Sequence, residues 1–362
     1  MPYHLDGTEK KSEYILSFNG AIDILSVIPE WIAIIFGFGG NSAWLRVLRL
    51  FRVGKLVTAT KGTGFLSGFT GVVAVISVGI ISTKVLILII ESYGELNESK
   101  SNAILLCHAF SGNHHAAGED EELGIGWWDQ IVGPKKAIDT EKYYVVCCNN
   151  LGGCAGSSGP TTINAATNKV FGKDFPLVTV DDWVNSQKML MDKLNIDFWH
   201  LVAGGSLGGM QALQWSISYP EKVKKAGIFA AAVKSSTQNI AMNEVARESI
   251  RKDKHFYDGN YYEHNASPKN GIKAARMLGH ITYLSEELMD TRFGRKFQDE
   301  ASKVDKSVNF EVENFLQYKG EKFSEFFDAN SYILMTKAMD DYDAGKNKTL
   351  EEKLSILAEE LI

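Results

Sequence analysis

Val202-Ala203-Gly204-Gly205-Ser206-Leu207-Gly208-Gly209 decides the reading of this chain. An apolar run, Phe198 to Val202, leads into Gly-x-Ser-x-Gly at Gly204, Ser206 and Gly208, and an amphipathic stretch from Met210 to Tyr219 follows. Strand, sharp turn and helix is the context in which a serine is held in a strained backbone conformation, its hydroxyl presented at the top of a sheet. Small residues two positions before and after the serine let strand and helix pass close enough to make the turn. The motif alone is moderately specific, because glycine-rich loops also end strands for steric reasons.

Outward from that turn, the pattern from Ala103 alternates buried strands with helices, as in a mostly parallel sheet covered on both faces. Ala103 to Cys107, Tyr143 to Cys148, Phe198 to Ala203 and Ala226 to Ala231 read as strands, and Val180 to Leu194 and Gly209 to Ser218 as packing helices. Beyond Ser235 the pattern changes to consecutive amphipathic helices, with Tyr257 to Pro268 as a polar break. That region, about 235–335, fits a helical lid over the active edge of the sheet.

A length of 362 residues suggests one large or two ordinary domains. The net charge of −6 argues against a nucleic-acid partner held by a basic surface. Cys107, Cys147, Cys148 and Cys154 show neither metal-type spacing nor the density of a disulfide scaffold, so reduced thiols and a cytoplasmic location are expected, with no metal. Before Glu91 apolar runs dominate. Ile15 to Phe38 is interrupted only by Asp23, Pro29 and Glu30 among charged residues and prolines, and Phe65 to Ile90 carries a single charge, Lys84. The second run is long enough to span a bilayer as a helix, and no secretory signal peptide precedes either.

Residues from about Glu91 to Asp343 resemble the homoserine O-acetyltransferase family of the α/β-hydrolase fold. The resemblance is carried by Tyr93-Gly94-Glu95-Leu96-Asn97, Cys107-His108-Ala109-Phe110-Ser111-Gly112, His115-Ala116-Ala117-Gly118, Gly126-Trp127-Trp128-Asp129 and Gly133 to Thr140. It continues through Asn150-Leu151-Gly152-Gly153-Cys154, the serine turn, Asn243-Glu244-Val245, Ala275 to Tyr283 and Phe327-Asp328-Ala329-Asn330-Ser331-Tyr332. It implies acetyl transfer from acetyl-CoA, as co-substrate with no bound cofactor, to the hydroxyl of homoserine in methionine biosynthesis, by a homodimer. Ser206 is then the nucleophile, the backbone N–H groups of Leu207 and Phe110 form the oxyanion hole, and Arg276 binds the substrate carboxylate. Arg247 is the second candidate for that carboxylate; the alternative for each arginine is an ion pair on a lid helix. The resemblance places His108 in a loop rather than at the base's position, gives His255, His264 and His280 to lid motifs, and lets Asp129, Trp127 and Trp128 build a loop. Two alternatives stay within the fold, homoserine O-succinyltransferase and serine hydrolase.

The front segment, 1–90, resembles a fragment of a voltage-gated ion channel sensor. Arg46, Arg49, Arg52 and Lys55 recur every third position among apolar residues, with Asp23 as a candidate counter-charge. A basic amphipathic surface helix is the plainer reading. The expectation is two or three hydrophobic, membrane-type helices before an α/β-hydrolase-fold domain over 91–362, fused near Lys84 to Glu91. Membrane association would come through residues 15–90 only. Chain order in the fold is serine, acid, histidine, so the resemblance also implies that the catalytic aspartate and histidine lie beyond Ile362 and that the chain is impaired.

Overall fold

The computed structural model describes residues 72–81, 84–298 and 310–346, with side chains from residue 87 onward. Its centre is a six-stranded sheet of β1 (Val72–Ile81), β2 (Lys84–Tyr93), β3 (Ala103–Cys107), β4 (Tyr144–Cys148), β5 (Leu201–Gly205) and β6 (Ala226–Phe229). The spatial order is β1-β2-β4-β3-β5-β6. β1 and β2 are antiparallel to their neighbours; β4, β3, β5 and β6 run parallel.

All five residues of β3 are buried, which is what a continuous apolar run in a parallel sheet with two covered faces requires. Period-two alternation divides them. Ala103, Leu105 and Cys107 join Val146, Cys148 and Val202 on the face covered by helices, against Trp183, Trp199 and Trp215. Ile104 and Leu106 join Val145, Cys147 and Ala203 on the other face, roofed by the excursion that carries Ala116, Ala117, Val132 and Ile138. The strands expected from sequence are present within two or three residues of their expected ends, as are α1 (Val180–Lys193) and α2 (Leu207–Ser218). A capping box starts α1: Asp182 N–H donates to Thr179 Oγ1 at 3.2 Å, and Thr179 N–H donates to the Asp182 carboxylate at 2.9 Å.

The membrane-helix reading of Phe65 to Ile90 is corrected from Val72 onward. These residues form the β1–β2 hairpin, with Val72 opposite Ser92 and Ile81 opposite Lys84. The run VVAVISVGII is rich in β-branched residues, which favour strands. β2 is also paired on its other side, Ile90 with Cys148 and Tyr93 with Val145, and Leu88 and Ile90 are buried. The joint expected between Lys84 and Glu91 therefore falls inside one continuous strand, paired with β1 from Lys84 and with β4 from Ile90. A long apolar run reads alike as membrane helix or buried strand until its pairing partners are known. Among the described residues no helix is long and apolar enough to cross a membrane. The stretch Ile15 to Phe38, with Asp23, and the stripe of Arg46, Arg49, Arg52 and Lys55 lie outside the described residues.

After β6 come α3 (Thr237–Arg251), α4 (Lys269–Tyr283), α5 (Glu286–Arg292) and α6 (Glu311–Phe326), then α7 (Ala329–Asp341). Their starts are set by side-chain caps: Ser236 accepts from Asn239 N–H, Ser285 from Leu288 N–H and Asp328 from Ser331 N–H. Ala246, Ile250, Ile272, Ala275 and Phe323 share one apolar cluster with the helix face of the sheet. The helical region thus packs as a continuation of that core.

Candidate active site

Ser206 ends β5 and precedes α2 with φ 55° and ψ −120°, a conformation that costs a non-glycine residue about 1–3 kcal/mol. The surroundings hold it there. Its N–H donates to Phe229 O at 2.9 Å, tying it to β6, and the following helix is buried from Leu207 through Ser216. A side chain at Gly208 would stand 2.0 Å from Cys107 O, one at Gly204 2.4 Å from the Gly208 backbone, and one at Gly209 2.6 Å from Ala231 Cβ. The glycines are there because three backbones converge. The Ser206 side chain makes no capping bond to its own helix, so the hydroxyl is exposed and free to react.

The strand order supplies the crevice. From β3 the chain goes to β4 on one side, and from β5 it goes to β6 on the other, so the loops leaving β3 and β5 diverge. Ligands bind at such switch points in open α/β sheets. Ser206 follows β5; His108 to Gly112 follows β3. His108 is fully committed: Nδ1–H donates to Ala109 O at 2.8 Å and Nε2 accepts from Asn150 N–H at 3.0 Å. Burial lowers its pKa to about 4, so it is a neutral strut between two loops, in keeping with the loop role expected of it. Among the described residues, the N–H groups of Phe110 and Leu207 have no acceptor, and no histidine hydrogen-bonds to Ser206.

Phe110 begins a line of stacked rings. It lies 5.3 Å from Phe327 at 22°, Phe327 lies 4.5 Å from Phe323 at 20°, and Tyr332 meets Phe110 edge-on at 5.0 Å. Arg276, on α4, lies over the far end with Cζ 4.5 Å from the Phe323 ring. Arg276 is half-buried and has no carboxylate partner among the described residues. Arg247 differs. It is 5% exposed and tied to Glu244 at 2.8 Å and Asp340 at 2.7 Å, pinning α3 to α7. Of the two arginines, the fold leaves only Arg276 with an unspent guanidinium.

The remaining candidates fall into place as structure. Asp129 accepts from Gly118 N–H, which with Lys136 holds its carboxyl below the usual range, and Trp127 Nε1–H donates to Asn113 O. Trp128 packs edge-on against Phe229, beside the serine turn. His255 faces Asp253, and His264 stacks on Tyr257 at 3.9 Å. All four cysteines are free thiols. Sequence reasoning quoted Phe327 and Tyr332 without giving them a role and did not single out Phe323; aromatic spacing within two helices gives no sign that the rings stack onto a loop after a distant strand. It also missed the pin of the β3 loop. Tyr93 OH accepts from Ala116 and Ala117 N–H, and His115 Nδ1 meets the buried Glu91 carboxyl at 2.9 Å.

Residues 102–347 match the family of the alpha/beta hydrolase fold. The chain is 56% identical over 261 residues to a homoserine O-succinyltransferase of Dechloromonas aromatica, covering 72% of this chain and 70% of the relative. It is 58% identical over 259 residues to a homoserine O-succinyltransferase of Pseudomonas aeruginosa, covering 71% and 68%. Among solved structures, the homoserine O-acetyltransferase of Bacillus anthracis superposes with a TM-score of 0.69 at 30% identity, over 79% of this chain and 80% of that one. Esterase E22 superposes with a TM-score of 0.68 at 33% identity, over 79% and 82%.

Proposed function

We propose, for a chain that belongs to the homoserine O-acyltransferase family of the α/β-hydrolase fold, that Ser206 carries a succinyl group from succinyl-CoA to the hydroxyl of homoserine. The chain is an acyltransferase by descent. The relatives at 56–58% identity are homoserine O-succinyltransferases, which favours the succinyl alternative over the acetyl expectation. Sequence motifs around the nucleophile serve either donor, which is why they pointed no further than the family.

The observation that carries the reading is the strained Ser206 turn at the β3–β5 crevice, with two unspent N–H groups on the loops beside it. Ser206 Oγ attacks the thioester carbon; the Oγ–C bond forms, the C–S bond breaks and CoA leaves as the thiol, taking up the serine proton. The developing oxyanion is met by Leu207 and Phe110 N–H donors, whose value lies in being fixed before the charge appears. Homoserine then attacks the succinyl-serine ester through its hydroxyl, returning the proton to Oγ. Arg276 meets a substrate carboxylate, for which a planar fork of donors suits two oxygens.

The test is steady-state transfer to homoserine with succinyl-CoA and acetyl-CoA, beside a Ser206→Ala variant. Serine-dependent transfer is expected, slow because no histidine among the described residues assists Ser206, with kcat/KM at least tenfold higher for succinyl-CoA. Equal use of both donors, or a preference for acetyl-CoA, removes the succinyl assignment. Sequential rather than ping-pong kinetics removes the acyl-serine. The likeness to esterase E22 favours a second reading, hydrolysis at the same serine; release of free succinate unaffected by homoserine is its signature.

A further inference from the structure

Arg276 and His280 stand at i and i+4 on α4, so their side chains leave the same face of the helix. That face meets α6 at close range. Gly320 permits the crossing, since a side chain there would stand 2.8 Å from Lys273 O. Arg276 lies over Phe323; one turn on, His280 lies edge-on to Phe315, centroids 5.4 Å apart at 71°. Tyr283 borders both, 5.8 Å from Arg276 Cζ and 6.1 Å from the His280 ring. Among the described residues two groups in this cluster are unspent: the Arg276 guanidinium, and His280 Nε2, which is buried with no hydrogen-bond partner. Buried polar atoms are almost always paired, and one left over beside a free guanidinium points to a ligand.

We propose that His280 is a second donor in the receptor for the substrate carboxylate that Arg276 meets, its Nε2–H adding to the guanidinium fork from the next turn of α4. The proposal rests on the acyltransferase reading and makes His280 a binding residue rather than a base. The ring suits the role at neutral pH. Burial first, then the positive charges of Arg276 and Lys319, bring its pKa down to about 4, so it is neutral and carries one N–H. The charged and titratable groups that face it are Arg276 on its own helix, Lys319 on α6 and the Tyr283 phenol. A carboxylate docked on Arg276 would offset that positive field and favour the imidazolium, raising the histidine's midpoint. Two substrate carboxylates have this chemistry, the α-carboxylate of homoserine and the terminal carboxylate of the succinyl group.

The experiment is an NMR titration of the His280 Cε1–H signal in the full chain, assigned by its loss in His280→Asn and, as a second variant, His280→Gln. It is run free and with homoserine, homoserine methyl ester or monomethyl succinate. The expected result is a midpoint near 4 that rises by about 1–3 pH units with a carboxylate ligand and stays put with homoserine methyl ester. A rise with homoserine assigns the α-carboxylate, and one with monomethyl succinate the acyl end. His280→Asn is expected to weaken the same ligand about 3- to 10-fold. If homoserine binding is lost in Arg276→Met, yet the His280 midpoint does not move and His280→Asn binds as tightly, the inference is overturned while the acyltransferase reading stands. If neither carboxylate ligand binds and Arg276→Met changes nothing, both fall together.

Discussion

The carbonyl oxygen of Cys107 occupies the space that a side chain on Gly208 would need, 2.0 Å from the Cβ position. The last residue of β3 thus abuts the first turn of α2, and the loop carrying Phe110 is braced against the loop carrying Ser206. Gly208→Ala is expected to destabilise the protein by about 3 kcal/mol, at the upper end for overpacking, because the obstructing atom is backbone and has no rotamer to escape into. Gly124→Ala is the control: nothing lies within 4 Å there, and φ +74° alone should cost about 1 kcal/mol. Equal losses of stability for the two variants in urea unfolding would contradict the bracing.

Ser206 holds a conformation that glycine adopts without strain. Ser206→Gly should therefore abolish acyl transfer and at the same time stabilise the fold by about 1 kcal/mol, seen as a raised Tm. Ser206→Ala should abolish transfer without that gain. A Tm for Ser206→Gly at or below that of the parent would show that the turn is not under strain.

The two arginines should separate cleanly. Arg276→Met is expected to reduce kcat/KM for homoserine by about 10- to 100-fold, the range for a lost charge-assisted contact, with little change in stability. Arg247→Met strips a partner from Asp340 and Glu244 and should cost about 2–3 kcal/mol of stability; Glu244 is half exposed, so the loss stays below that of a fully buried pair. Transfer kinetics for that variant should be near normal where it remains folded. A large rise in KM on losing Arg247 would return it to the substrate site.

Acid should destabilise the protein through His108. The folded group titrates near 4, burial being the cause, and the unfolded one near its ordinary 6.5. Its contribution is therefore fully present above about pH 6.5 and is lost as pH falls toward 4, because only the unfolded chain takes up the proton in that window. The slope from this one histidine should approach 1.4 kcal/mol per pH unit. His108→Gln, which can still accept from Asn150 N–H, should flatten that part of the stability profile; an unchanged profile would mean that the ring is protonated in the native state.

The motifs made much of the fold legible because they state local requirements. Gly204 and Gly208 around Ser206 announce a turn that only close backbones need, and the apolar runs at Ala103 to Cys107 and Tyr143 to Cys148 announce strands buried on both sides. The failure was equally physical. Val72 to Ile90 carries one charge, Lys84, and only Ser77, Ser82 and Thr83 as other polar residues, and such a run carries no period that separates a membrane helix from a buried hairpin. Only the pairing of Ile90 with Cys148 and of Val72 with Ser92 settles it.

The sequence by itself determined the serine turn at Ser206 and the family, since each lies in residues adjacent along the chain. It could not determine which arginine is free. Arg247 and Arg276 are both lid-helix cations in sequence; Asp340, on a helix about ninety residues later, neutralises the first, and the rings of Phe323 and Tyr283 leave the second unpaired. Charge pairing across helices depends on distances that exist only after the chain has folded, so which guanidinium is left without a carboxylate partner is decided by the tertiary structure.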